Sequence, residues 1–121
     1  TADCITKNKE YLGGAILPGL KMSANALADG TAKLPSVEIA RPEHICGTTT
    51  IEAIQNGLYF GNAGAIKEIL YLFKKNVFKG EKTIVIGTGG FSRIFEEYGL
   101  FDTISPELVL LGVKKSVEMN S

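Results

Sequence analysis

An α/β domain, with helices packed on a mixed β-sheet that starts in a hairpin, is the fold class this sequence predicts. Two observations carry that reading. A strand-like run ends in the glycine and proline cluster Leu12-Gly13-Gly14-Ala15-Ile16-Leu17-Pro18-Gly19, directly ahead of a helix-like run. A second strand-like run ends in Gly87-Thr88-Gly89-Gly90, again ahead of a helix-like run. Strands therefore come first and then alternate with helices, the order of a layered domain.

Residues 2–6 and 11–17 read as strands flanking the polar turn Lys7-Asn8-Lys9-Glu10, a hairpin without the Asn-Gly or Asp-Gly signature. A chain whose first residues already read as strand leads us to expect a preceding segment. After Gly19, the residues Leu20, Ala24, Leu27 and Ala28 share one helical face, and Gly30 supplies a stop. Residues 31–47 hold two prolines and little periodicity; they read as a long loop with a short strand at Val37–Ile39. Thr49-Thr50-Ile51-Glu52 fits a capping box, a threonine hydroxyl and a glutamate exchanging hydrogen bonds with each other's backbone N–H. The helix that follows carries Ile51, Ile54 and Leu58 on one face, and the pattern resumes at Ile66, Ile69, Leu70 and Phe73 before Lys74-Lys75. It reads as one long helix or as two broken near Gly61–Gly64. Gly57, Gly61 and Gly64 each cost about 1 kcal/mol relative to alanine in a helix interior. Two readings explain them, close packing inside one subunit or a subunit interface.

Lys82–Ile86 is β-branched and reads as a buried strand. A helix is expected over Phe91–Tyr98 with its stop at Gly99, and a last short strand at Asp102–Ile104. Ser105-Pro106-Glu107 then supplies an N-cap, a first-turn proline and an early acid for a helix running to about Glu118.

At 121 residues the chain suits a single domain, here residues 1–121, and 45% of it is hydrophobic. Thirteen basic and thirteen acidic side chains cancel, which argues against a nucleic-acid or membrane-surface partner and leaves small molecules and proteins. No apolar run approaches the roughly 20 residues of a membrane helix, and the first residues show no secretory leader. Cys4 and Cys46 lack metal-ligand spacing and read as reduced core residues, which points to the cytoplasm.

Groups for acid–base chemistry are sparse. The one histidine, His44, reads as a solvated loop residue, and no Ser-His-Asp or Cys-His set is assignable. Asp3 lies on a strand among apolar neighbours, where a buried carboxylate would need a partner or a cation. Arg41 and Arg93 read as surface ion-pairing groups. Glycines that follow a buried strand and open a helix let backbone N–H groups approach an anionic ligand, and Gly87–Gly90 has that setting. It is neither a dinucleotide fingerprint nor a P-loop. The same composition also serves a purely structural turn, and spacing alone does not separate the two.

Taken together, several segments resemble the type III pantothenate kinases. They are Thr1-Ala2-Asp3, Tyr11–Gly19, Leu34-Pro35, and Gly47-Thr48-Thr49-Thr50-Ile51-Glu52-Ala53-Ile54-Gln55-Asn56-Gly57, with Gly87–Gly90 and the closing Ser105-Pro106-Glu107-Leu108-Val109-Leu110-Leu111-Gly112. Their order and spacing agree along essentially the whole chain. The resemblance implies the C-terminal lobe of a two-lobed kinase of the acetate and sugar kinase, heat-shock ATPase and actin superfamily. Each lobe of such a kinase is ribonuclease-H-like, with ATP between them. The family's Asp-x-Gly-Asn and Gly-x-Asp-Arg motifs, the second holding the catalytic aspartate, do not occur in this sequence. The resemblance thus implies a missing N-terminal lobe and no catalytic residue in this chain, which alone is expected to be inactive.

Carried over residue by residue, Gly87, Thr88, Gly89 and Gly90 lie against adenosine and Thr1 lies near the ATP phosphates. Thr50 contacts pantothenate from the neighbouring subunit of a homodimer, while Gly13, Gly14, Pro18 and Gly19 shape the adjoining loop. The implied reaction passes the γ-phosphate of ATP to pantothenate, the first step of coenzyme A synthesis. It uses magnesium and a monovalent cation, potassium or ammonium, near which Asp3 is the candidate. Two other readings remain open at this level: a non-catalytic transcriptional accessory regulator on the same fold, and a different kinase of the superfamily.

Overall fold

A computed structural model describes all 121 residues. The chain divides into two compact units, Thr1–Lys82 and Thr83–Ser121.

The first unit opens with β1 (Ala2–Ile5) and β2 (Tyr11–Ala15), paired antiparallel with Asp3 opposite Gly14 and Cys4 opposite Gly13. The register shifts between Cys4 and Ile5, a bulge after which Ile5 pairs with Tyr11. Thr6 organises the turn in place of an Asn-Gly pair. Its hydroxyl accepts from the N–H groups of Asn8 and Glu10, at 3.2 and 3.1 Å. Lys9 takes the left-handed conformation, φ 67°. The expected hairpin is present, with strands shorter than the sequence suggests.

Helix α1 (Leu20–Asp29) starts after Gly19 and stops at Gly30, as the sequence indicates. The Thr31 hydroxyl donates to the Leu27 carbonyl at 2.8 Å, satisfying one of the last-turn acceptors. Residues 31–47 form no strand, so the strand expected at Val37–Ile39 is corrected. No neighbouring strand offers a ladder there, and the Glu38 carbonyl instead accepts from the Gln55 side-chain amide at 3.0 Å. The buried Asn56 amide donates to the Ile45 carbonyl at 2.8 Å and ties the end of the loop to the next helix.

That helix, α2 (Thr50–Leu72), is a single unbroken rod extended by a π-helical turn at Phe73–Val77. The capping box is formed as expected, with Thr49 as N-cap and Glu52 at its third position. Ile54, Leu58, Tyr59 and Ala63 of α2 join Cys4 and Leu20 as the buried apolar residues of this unit. Tyr59 and Phe60 meet edge to face, ring centres 5.1 Å apart. Ile51 is half exposed and lies outside this core.

In the second unit β3 (Ile86–Gly87) pairs in parallel with β4 (Thr103–Ile104). The strand expected over Lys82–Ile86 is therefore much shorter, and it is not buried: Ile84 is 71% and Ile86 48% exposed. A two-stranded sheet has no second neighbour or covering layer for those side chains. The four strands thus make two separate two-stranded sheets rather than one mixed sheet. Between β3 and β4 the helix expected over Phe91–Tyr98 is a 3-10 helix, Ser92–Tyr98, whose Phe95 is buried along with Leu100.

Helix α3 (Leu108–Asn120) begins three residues beyond Ser105, correcting the expected cap. Ser105 caps nothing with its hydroxyl. Its N–H donates to the Gly87 carbonyl at 2.8 Å, its carbonyl accepts from Leu108 at 3.2 Å, and Pro106-Glu107 form a turn. Every residue of α3 is exposed.

Two predictions follow from local geometry. Thr49→Ala removes the cap acceptor and should cost about 1 kcal/mol of stability in urea unfolding. Gly87→Ala would bring a methyl group within 2.6 Å of the Phe101 ring and should lower stability by roughly 1–3 kcal/mol by the same measurement.

Candidate functional site

The residues singled out in the first unit sit at three places. Thr1 is exposed ahead of β1. Asp3, expected to be buried, is exposed on β1, because its side chain points away from the face where the adjacent Cys4 is covered. Its carboxylate accepts from the Tyr11 hydroxyl at 3.1 Å, and that bond holds the Tyr11 phenol above its ordinary pKa. Burial, reinforced by the Asp3 charge, raises the Cys4 thiol, so Cys4 behaves as the core residue expected. Cys46 does not; it is exposed.

Gly13 and Gly14 lie on β2. Gly13 has φ 117°, open to glycine and strained for other residues, while a Cβ on Gly14 would collide with the Ala2 carbonyl and the Asp3 carboxylate. Pro18 and Gly19 link β2 to α1, Gly19 acting as its N-cap without a side-chain bond. Pro18 also borders an open apolar groove of about 520 Å³ between α1 and α2, with Met22, Leu27, Gly57, Leu58 and Gly61. A second open groove, about 440 Å³, lies on the other side of Gly57 and Gly61 beside Ile45, Cys46, Asn56 and Phe60. A Cβ on Gly57, Gly61 or Gly64 would meet nothing within 4 Å, so close packing inside this chain does not explain these glycines.

Thr50 is the first residue of α2 and is exposed. Its hydroxyl takes no part in the cap, which belongs to Thr49. One oxygen of Glu52, Oε2, accepts from the Thr48 N–H at 2.7 Å, the Thr48 hydroxyl at 3.0 Å and the Thr49 N–H at 3.3 Å. The Glu52 N–H returns a bond to the Thr49 hydroxyl at 3.2 Å. The bonds from Thr48, then the one from Thr49 and the charge of His44, hold the Glu52 carboxyl below the usual carboxylate range. Gly47 has no room for a side chain, because a Cβ there would lie 2.5 Å from the Ala53 nitrogen. The loop is therefore pressed against the first turn of α2. The capping box was legible in sequence. The reach of Glu52 to Thr48 and the anchors from Gln55 and Asn56 were not, although an asparagine in the helix's apolar stretch was a signal for the latter.

In the second unit Gly87 is buried against Phe101, while Thr88, Gly89 and Gly90 are exposed. Gly89 has φ 89°, and nothing lies within 4 Å of a Cβ built on Gly89 or Gly90. The expectation of an α-helix N-terminus facing a ligand here is corrected. The following helix is a seven-residue 3-10 helix, and Ser92 turns both its N–H and its hydroxyl back to the Gly89 carbonyl, at 3.2 and 2.7 Å. What remains is an open, side-chain-free stretch of backbone.

No three His, Cys, Asp or Glu side chains come together anywhere in the chain. His44 is exposed, as expected. No helix is long and apolar enough to cross a membrane. The arrangement offers hydroxyls and open backbone for binding, with no assembled base or nucleophile.

A family model described as type III pantothenate kinase matches residues 1–71. The type III pantothenate kinase of Legionella pneumophila strain Corby is 49% identical over 117 residues, 97% of this chain and 46% of that protein. The type III pantothenate kinase of Elusimicrobium minutum is 51% identical over 120 residues, 99% of this chain and 46% of its own length. Type III pantothenate kinase 1 of Francisella tularensis subsp. holarctica strain OSU18 is 44% identical over 99% of this chain. The chain spans about half the length of the curated relatives it matches.

The site geometry also sets a pH dependence. Glu52 has a lowered pKa in the folded protein, so its contribution to stability is complete above the ordinary carboxylate value of about 4.3 and is lost as pH falls through the lowered one. Urea midpoints of wild type and Glu52→Ala should converge on the acid side of that value and stay apart at neutral pH.

Proposed function

Because the chain belongs to the type III pantothenate kinase family, we propose that it forms the C-terminal, ribonuclease-H-like lobe of an enzyme that transfers the γ-phosphate of ATP to pantothenate. The observation that carries this reading is identity near 49% along 97% of the chain, a span that takes in both the Thr48–Gly57 segment and the Gly87–Gly90 loop. The remainder of the protein, an N-terminal lobe, would supply the catalytic aspartate.

Within this reading each local geometry has a use. The open backbone at Gly89 and Gly90 lets the flat face of adenosine approach without meeting a side chain, and Gly87 supports that loop from beneath through Phe101. Thr88 borders the same surface, and only the family resemblance assigns Thr1 to the ATP phosphates. Thr50 presents a hydroxyl that the helix cap leaves uncommitted, available to pantothenate. Gly13, Gly14, Pro18 and Gly19 shape the turn that leads into α1. Phosphoryl transfer depends mainly on positioning and on neutralising charge, and these residues can contribute the positioning. Asp3 is a single exposed carboxylate already bonded to Tyr11, and no cluster of metal-ligating side chains accompanies it. Asp3 alone would be one ligand of a magnesium, potassium or ammonium ion, the others coming from groups elsewhere in the protein.

A homodimer fits the bare ridge of Gly57, Gly61 and Gly64 on α2, where a second copy could approach closely. Soluble, cytoplasmic action fits a kinase of coenzyme A synthesis.

The test is an assay of the full-length protein with pantothenate, ATP, magnesium and potassium; absence of turnover would sink the kinase reading. In that protein Thr50→Ala should raise the KM for pantothenate far more than the KM for ATP, and an unchanged pantothenate KM would remove Thr50 from the site. Gly61→Leu should weaken dimerisation in sedimentation experiments. An undiminished dimer would place the interface elsewhere.

A further inference from the structure

A capping box needs one bond in each direction between the N-cap residue and the third residue of the helix. Glu52 does more. Its Oε2 gathers three donors, and the shortest bond, 2.7 Å, comes from Thr48, which lies outside the capping pair. A distance of 2.7 Å is that of a strong, charge-assisted bond. The N–H groups of both residues that precede Thr50 are thus held by one carboxylate. The Thr49 carbonyl accepts from Ala53 at 2.9 Å, and the Thr49 hydroxyl from Glu52 at 3.2 Å. Gly47, pressed against Glu52 and Ala53, removes the slack on the other side. None of these bonds uses the Thr50 hydroxyl.

We propose that Glu52 is a positioning residue for pantothenate: by clamping Thr48 and Thr49 it fixes where Thr50 presents its hydroxyl. This rests on the assignment of Thr50 to the pantothenate site. Glu52 touches no substrate in this account; it acts through the backbone that carries Thr50, as supporting groups around a binding site do. Its charge strengthens the bonds, but the acceptor geometry is the essential feature, and a neutral amide oxygen at the same place can accept from the same donors.

The experiment uses the full-length protein and compares three variants. Glu52→Ala should raise the KM for pantothenate by about tenfold or more, the scale on which small misplacements act, while the KM for ATP stays within about twofold of wild type. Glu52→Gln should recover most of that loss. Thr49→Ala, which weakens the same helix start but leaves the Glu52 bonds to Thr48 and to the Thr49 N–H, controls for stability; it should lower the melting temperature without a comparable rise in the pantothenate KM. Equal pantothenate KM values for Glu52→Ala and Thr49→Ala would overturn the proposal, because Glu52 would then be only a helix cap. Failure of Glu52→Gln to recover affinity would overturn it as well. A wild-type protein without turnover would instead overturn the kinase reading, and the positioning role with it.

Discussion

The first unit depends on how α2 begins. A helix start leaves its first N–H groups without intrahelical partners, and here the cap must also receive a long loop that has no ladder of its own. Thr49 and Glu52 satisfy the start, and the extra reach of Glu52 to Thr48 ties the incoming chain to it. Asn56 and Gln55, within the next two turns, then bind the Ile45 and Glu38 carbonyls. Residues 31–47 thus owe their path largely to polar groups projected from one helix. Weakening the start should therefore loosen the end of the loop as well as the first turn of α2.

What could be read from the sequence divides along the same physical line. The hairpin, α1 and the capping box were legible because their signals are local: alternating or helical spacing, a glycine stop, a threonine and a glutamate three apart. Even there the turn was made by Thr6 and a left-handed Lys9 rather than by a glycine. The failures involve elements whose form depends on partners. Val37–Ile39 has strand-like composition but no neighbour to pair with. Lys82–Ile86 has the composition of a buried strand, yet a two-stranded sheet pairs only Ile86 and Gly87 and leaves Ile84 71% exposed. Ser105 has the composition of a cap, but its backbone is engaged with Gly87 and Leu108 and the helix starts later.

The candidate site shows the same division at the level of residues. Spacing located the two glycine clusters and the threonine run, but glycine composition does not say why each glycine is there. Structure separates the reasons. Gly47 and Gly87 are glycine because a neighbouring atom occupies the space of a side chain; Gly89 has a positive φ and open surroundings; Gly57, Gly61 and Gly64 satisfy neither condition. A glycine in a helix interior that neither packs closely nor takes a special conformation carries a propensity cost of about 1 kcal/mol without a return inside the chain. That imbalance, repeated three times on α2, is what the proposed approach of a second copy would offset.

The division between binding and chemistry follows from the side chains present. Hydroxyls and open backbone can orient a substrate, but at neutral pH they are poor proton acceptors, and they carry no formal charge to offset that of a migrating phosphoryl group. Asp3 is occupied by Tyr11, Glu52 by its threonines, and Asp102 by the Val85 N–H at 2.6 Å. These three carboxylates therefore each serve a local structural bond, and none belongs to a cluster of three or more His, Cys, Asp or Glu side chains. On the kinase reading, changes confined to this chain should act first through substrate affinity and geometry. Residues elsewhere in the protein must then control the proton transfer and the charge of the reaction. On the same reading Glu52 illustrates how the two roles differ: its carboxylate would contribute through the Thr48 and Thr49 backbone it holds in place, without touching the substrate.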